Sequence, residues 1–121
     1  MSKAALSIFV YGVYALGAGL TFLFVPNLAL PMYGMEPAAD HWIMTVAILT
    51  LGLSYYYLSS ARSENRLFFE LSWKGRIWFF SATLVTVLLG KAPVGMIAVG
   101  STDLIMALWT YWALQQDTKT S

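Results

Sequence analysis

Polar residues divide the chain into four apolar segments, about Ala4–Val25, Trp42–Ser60, Ile77–Gly90 and Pro93–Leu114. Crossing a hydrocarbon core of about 30 Å takes about 20 helical residues, each rising about 1.5 Å. The first, second and fourth segments reach that length. The third reaches it by continuing back through Leu67–Arg76, where Gly75 is the only breaker and Glu70 and Lys74 stand at the favourable i,i+4 spacing. The pattern therefore predicts helices over 4–25, 42–60, 67–90 and 93–114, with the third entering the membrane near Trp73.

The interruptions have the chemistry of turns. Pro26, Pro31, Gly34 and Pro37 forbid a continuous helix through the first connection. The apolar run Leu28–Met35 inside it lies at the membrane interface or dips back toward the bundle. Asp40 reads as the N-cap of the second helix. Arg62–Arg66 forms the second loop. Gly90-Lys91-Ala92-Pro93 forms a tight third turn, with Pro93 placed to start the last helix. The residues after Gln115 read as a frayed tail. The predicted architecture is a single all-α domain over 1–121, an antiparallel bundle of four transmembrane helices.

Composition strengthens this reading. A chain of 121 residues that is 59% hydrophobic and 11% charged carries more apolar surface than a soluble fold of its size can hide. The net charge of +1 supplies no field for nucleic acid. There is no cysteine, which excludes disulfides, thiol catalysis and cysteine metal sites. The first apolar segment is longer than a signal-peptide core and no A-x-A cleavage site follows it, so it is expected to remain as a membrane helix.

The basic residues set an expected orientation. Of seven Lys and Arg, six (Lys3, Arg62, Arg66, Lys74, Arg76 and Lys119) fall on the side that holds both termini and the second loop, against Lys91 on the other. By the positive-inside rule both termini are cytoplasmic. Tyr33 and Trp42 then mark the outer interface, and Tyr55, Tyr56, Tyr57, Trp73, Tyr111 and Trp112 the inner one.

One residue breaks the apolar pattern where a break is most expensive. Asp103 lies near the middle of the fourth segment, where a charge costs about 2.5–3.5 kcal/mol on insertion scales. It is on one helix face with Met96, Val99, Met106 and Thr110, and Gly100 and Ala107 flank that face and permit close approach. Gly12, Ala15 and Gly19 offer the same in the first helix. Counting the rise from the helix ends puts Tyr14, Thr50 and Ser81 within about one turn of Asp103, and Arg76 about 6 Å away along the membrane normal. An extended arginine spans that gap, so an Arg76–Asp103 pair is open. Two readings of the resulting midplane layer (Asp103, Arg76, Tyr14, Thr50, Ser81) compete. In one, Arg76 and Asp103 form a buried strut whose hydrogen bonds the others complete. In the other, the layer lines a pocket or path in which Asp103 binds a ligand's polar group or carries a proton.

The remaining candidates are weaker. His41 is the only histidine, and with Asp40 and Glu36 it reads as an ordinary polar loop, not a metal site. Six methionines and many aromatics suit either a plain core or a pocket for a flat apolar molecule, a lipid or a quinone. No nucleophile elbow, phosphate loop, dinucleotide fingerprint or HExxH occurs, so enzymatic machinery is not expected and no cofactor is assigned.

The Gly-rich first helix ending in Phe22-Leu23-Phe24-Val25-Pro26-Asn27, the Tyr33-Gly34 turn, Gly75-Arg76 in the third helix and Asp103 in the fourth give the chain a plan that resembles the small bacterial four-helix membrane proteins of the DoxX-like group. The resemblance implies a multi-pass protein of a bacterial inner membrane, and some members of that group are linked to quinone-coupled redox systems. Three functions are expected in order: a non-enzymatic membrane protein holding a small apolar ligand or lipid at the Asp103 layer; an accessory subunit of a larger respiratory or monooxygenase-type complex; and a small proton-coupled transporter working as a homo-oligomer.

Overall fold

The computed structural model describes residues 1–32 and 42–120. Tyr33, Gly34, Glu36, Pro37, Asp40 and His41, with the turn, cap and cluster expected of them, lie outside the described residues, as does the Trp42 side chain. Among the described residues all regular structure is helical: α1 Lys3–Phe24, α2 Pro26–Met32, α3 Trp42–Arg62, α4 Arg66–Leu88 and α5 Gly95–Thr120. Among the described residues three helices, α1, α3 and α5, are long and apolar enough to cross a membrane, which marks the chain as a membrane protein. The fourth long helix, α4, carries Arg66, Glu70, Lys74 and Arg76 in its first half and falls outside that set.

The helix ends explain themselves. Val25 closes α1, and Pro26, which has no N–H to donate, opens α2. The described part of the apolar run after Pro26 therefore lies in a short helix packed against α1, with Leu30 buried, and the rest of the run to Met35 lies outside the described residues. The α4 helix ends in a six-to-one and five-to-two pair of bonds, Lys91 N to Thr86 O at 2.9 Å and Gly90 N to Val87 O at 3.0 Å. That motif requires a left-handed residue, and Gly90 supplies it at φ 75°. The α3 helix ends the same way, Asn65 N to Ser60 O at 3.0 Å and Glu64 N to Ala61 O at 3.3 Å, but here the left-handed residue is Glu64, φ 53°. A side chain in that conformation costs about 1–2 kcal/mol. Glu64 is held there by its own carboxylate, which accepts from Ser2 N and Ser2 Oγ, both at 2.7 Å.

That contact belongs to a complete cap on α1. Ser2 Oγ accepts from Ala5 N at 3.0 Å, and the Asp117 carboxylate accepts from Lys3 N at 3.2 Å and Ala4 N at 2.9 Å. Leu6 N closes the first turn on Ser2 O at 2.9 Å. The orphan amides of the helix start are thus satisfied, two of them by a carboxylate that also opposes the positive end of the helix dipole. The expectation of a frayed tail after Gln115 is corrected by this: α5 stays helical to Thr120 because Asp117 has work at the start of α1 and Arg66 Nη2 donates to Thr118 Oγ1 at 2.7 Å. The expected Glu70–Lys74 pair is also replaced. Glu70 accepts from Trp73 Nε1 at 3.1 Å, and Lys74 Nζ lies 5.6 Å above the Trp73 ring.

The long helices alternate in direction, so the start of α1, the α3–α4 turn and the end of α5 meet at one end of the bundle, called here the Lys3 end. Close backbone packing joins α3 to α1, α1 to α5 and α5 to α4. Small residues make the first contact possible: a Cβ on Gly12 would stand 3.2 Å from the Leu58 backbone nitrogen, and one on Gly19 would stand 3.3 Å from Ala47 O. Ala15 is buried between them. Gly100, where a Cβ would meet Phe80 Cδ1 at 3.2 Å, does the same for α4 and α5. The fourth edge, between α3 and α4, lacks any comparable backbone approach. It is bridged by side chains near the Lys3 end, where Tyr57 meets Phe68 edge-on at 5.1 Å. The buried core, including Ile8, Tyr57, Ala61, Phe69, Ala113 and Leu114, is concentrated at that same end.

Candidate functional site

Arg76 and Asp103 are both buried, 4% and 7% exposed, and a connected set of polar side chains links them. On α1, Ser7 and Tyr11 are one turn apart and face the same way. On α4, Ser72 and Arg76 share that spacing. On α5, Asp103 and Thr110 are two turns apart on one face. These three polar stripes meet inside the bundle, with Tyr57 entering from α3.

The connections run from the Lys3 end inward. Ser7 Oγ and Thr110 Oγ1 are 2.9 Å apart. Arg76 Nη2 donates to Thr110 Oγ1 at 2.8 Å, and Arg76 Nε makes a long bond, 3.4 Å, to Ser72 O. The guanidinium carbon is 4.6 Å from the Tyr11 ring centre and 5.7 Å from that of Tyr57, and the two rings are 4.6 Å apart at 53°. A cation against desolvated rings gains about 2 kcal/mol or more. Ser72 Oγ donates to Tyr57 OH at 2.9 Å, which holds that ring in place. Finally Tyr11 OH donates to Asp103 Oδ1 at 2.8 Å.

The Arg76–Asp103 pair left open by the sequence does not form: the guanidinium bonds run to Ser72 and Thr110, and the Asp103 carboxylate takes its hydrogen bond from Tyr11. The reason is directional. A helical side chain leans toward the start of its own helix. The α4 helix starts at the Lys3 end and α5 starts at the other, so Arg76 and Asp103 lean apart. Rise alone, which ignores that lean, puts them within reach.

The other expected members of the layer separate. Tyr14 is half-buried, with its ring 5.9 Å from that of Tyr11. Thr50 Oγ1 returns to Val46 O at 2.8 Å and Ser81 Oγ to Ile77 O at 2.9 Å, each on its own helix, so neither joins the network. In their place stand Ser7, Tyr11, Tyr57, Ser72 and Thr110. A flat midplane layer is thus replaced by a column running from near the Lys3 end to Asp103. The missed signal was the 3,4 repeat of polar residues on α1 (Ser7, Tyr11, Tyr14) and the Ser72–Arg76 step on α4.

Two atoms of the column are uncommitted. Arg76 Nη1 is buried with no hydrogen-bond partner. Asp103 accepts its single side-chain hydrogen bond on Oδ1, which leaves Oδ2 free of one. An unpaired donor on a buried cation is expensive, because its lost hydration is returned by nothing. Native structures rarely keep such a group without a purpose or a bound species. Chemically the site offers one cationic N–H edge, one carboxylate oxygen and two aromatic faces.

Comparison with known protein families, with curated proteins and with solved structures returns no match in any of the three.

Proposed function

We propose that the chain is a four-span membrane protein, with both termini cytoplasmic, that holds a small apolar ligand or lipid by its polar group at the Arg76–Asp103 column. The observation that carries this is the buried, unpartnered Nη1 of Arg76. The great majority of buried donors in native structures are engaged, and this one is not. The Lys3 end is tied down by Glu64, Asp117 and Arg66 without help from the column, which leaves the column free for another task. The α4 helix counts as the fourth span on connectivity: the turns after α3 and before α5 are short and lie at opposite ends, so α4 traverses the same thickness as its neighbours. Its Arg76 is inside the bundle and its Lys74 is exposed near the Lys3 end, where a long side chain reaches the interface.

Native mass spectrometry of the gently extracted protein tests this reading. Wild type is expected to carry a bound small-molecule mass that is reduced in Arg76→Gln and in Asp103→Asn while helicity is kept. Bare wild-type protein, or a bound mass equal in all three, rejects it.

A further inference from the structure

Resting on that reading, we infer that the molecule held at Arg76 is an acidic amphiphile: one anionic oxyacid head, carboxylate or phosphate, on a long apolar tail. The head follows from the donor inventory. A guanidinium carries five N–H groups, and only Nε and Nη2 are engaged here, one of them weakly. Their acceptors, Ser72 O and Thr110 Oγ1, are neutral, and the nearby Asp103 is bonded to Tyr11. Arg76 therefore keeps a buried positive charge with no carboxylate in contact and a free donor in the guanidinium plane. The Tyr11 and Tyr57 rings lie 4.6 and 5.7 Å from the guanidinium carbon, and the donor left uncommitted is the buried Nη1. An anionic oxygen arriving at that donor makes a charge-assisted bond and neutralises the cation, whereas a neutral hydroxyl or carbonyl makes only the weaker bond.

The tail follows from the α3–α4 edge. Stepping away from the Lys3 end, the α3 face that carries Tyr57 continues through Leu53, Thr50 and Val46, and the α4 face that carries Ser72 and Arg76 continues through Phe79. Leu53, Val46 and Phe79 are 49%, 39% and 37% exposed, along the one edge of the bundle without close backbone packing. This is a lateral apolar seam ending at a cation. A linear acyl chain lying in the seam brings its head toward Nη1 from the bilayer side, and the head reaches that buried atom by displacing the side chains that cover it.

The test uses delipidated wild-type protein in detergent, titrated with oleate, with oleyl alcohol and with oleoyl lysophosphatidic acid, and read by native mass spectrometry and thermal shift. Oleate is expected to bind about tenfold or more tighter than oleyl alcohol, the gain of a charge-assisted over a neutral hydrogen bond. That preference is expected to vanish in Arg76→Gln and to survive in part in Arg76→Lys, with far-UV circular dichroism confirming the fold of each. Tighter binding of the phosphate lipid than of oleate supports the same acidic-head inference and assigns the head to phosphate. Equal binding of oleate and oleyl alcohol overturns the acidic-head inference and leaves the ligand-holding site standing. No binding of any of the three overturns both.

Discussion

Removing the hydroxyl of Tyr11 isolates one bond of the column. In Tyr11→Phe the ring stays beneath the Arg76 guanidinium and against Tyr57, while the 2.8 Å bond to Asp103 Oδ1 is lost. The bond is buried and its acceptor is a carboxylate, a class worth about 1.5–3 kcal/mol in water-soluble proteins. Interhelical polar contacts in membranes average lower, about 0.6 kcal/mol with a maximum near 1.7, because the unfolded helices also find partners in the bilayer. The upper end of the membrane range applies to a charged acceptor, so a double-mutant cycle of Tyr11→Phe with Asp103→Leu is expected to give a coupling of about 1–2 kcal/mol. The assay is reversible unfolding in mixed micelles, followed by tryptophan fluorescence. In an Asp103→Asn background the amide oxygen still accepts from Tyr11, so the cost of Tyr11→Phe is expected to fall to about 1 kcal/mol or less. A coupling under about 0.3 kcal/mol, the level of independent sites, would refute the assignment of Tyr11 as the partner of Asp103.

Other perturbations reach other links. Gly12→Val drives a branched side chain into the Leu58 backbone, and overpacking of this kind is expected to cost about 1–3 kcal/mol in the same unfolding assay; an unchanged midpoint would contradict the close α1–α3 approach. Asp117→Ala strips the acceptor from Lys3 N and Ala4 N and is expected to cost about 1 kcal/mol, part of it lost at high salt; no effect at low salt would show that the end of α5 does not cap α1. Because the chain has no cysteine, single cysteines at Ser63 and Lys91 map topology cleanly. Intact cells are expected to expose only position 91 to an impermeant maleimide, with position 63 labelled after permeabilisation; the reverse pattern would invert the proposed orientation.

Much of the fold was legible because membrane burial imposes a crude and strong pattern. Lengths of apolar sequence and the prolines and glycines between them placed every start of the long helices, and every end but that of α5, within two residues, and Gly12, Ala15, Gly19 and Gly100 announced the close contacts. The end of α5 was misread because a polar tail looks frayed until a distant helix start needs its Asp117. The site was only partly visible. Asp103 and Arg76 stand out as charges in apolar surroundings, and both are buried in the column. Their partners did not stand out, because a tyrosine, serine or threonine in a membrane helix is ordinary, and membership depends on side-chain direction as well as depth. Tyr11 reaches Asp103 where Tyr14 was expected, and Thr50 and Ser81 satisfy themselves on their own backbones.

The claim on which the account turns is that Arg76 keeps a donor free for something other than Asp103. The direct measurement is a high-resolution structure of the protein extracted with its native lipids into nanodiscs. A bound head group is expected about 2.7–3.2 Å from Arg76 Nη1, with its tail along the α3–α4 seam and Tyr11 still bonded to Asp103. An Arg76 side chain swung into a direct ion pair with Asp103, and an empty seam beside it, would contradict the claim.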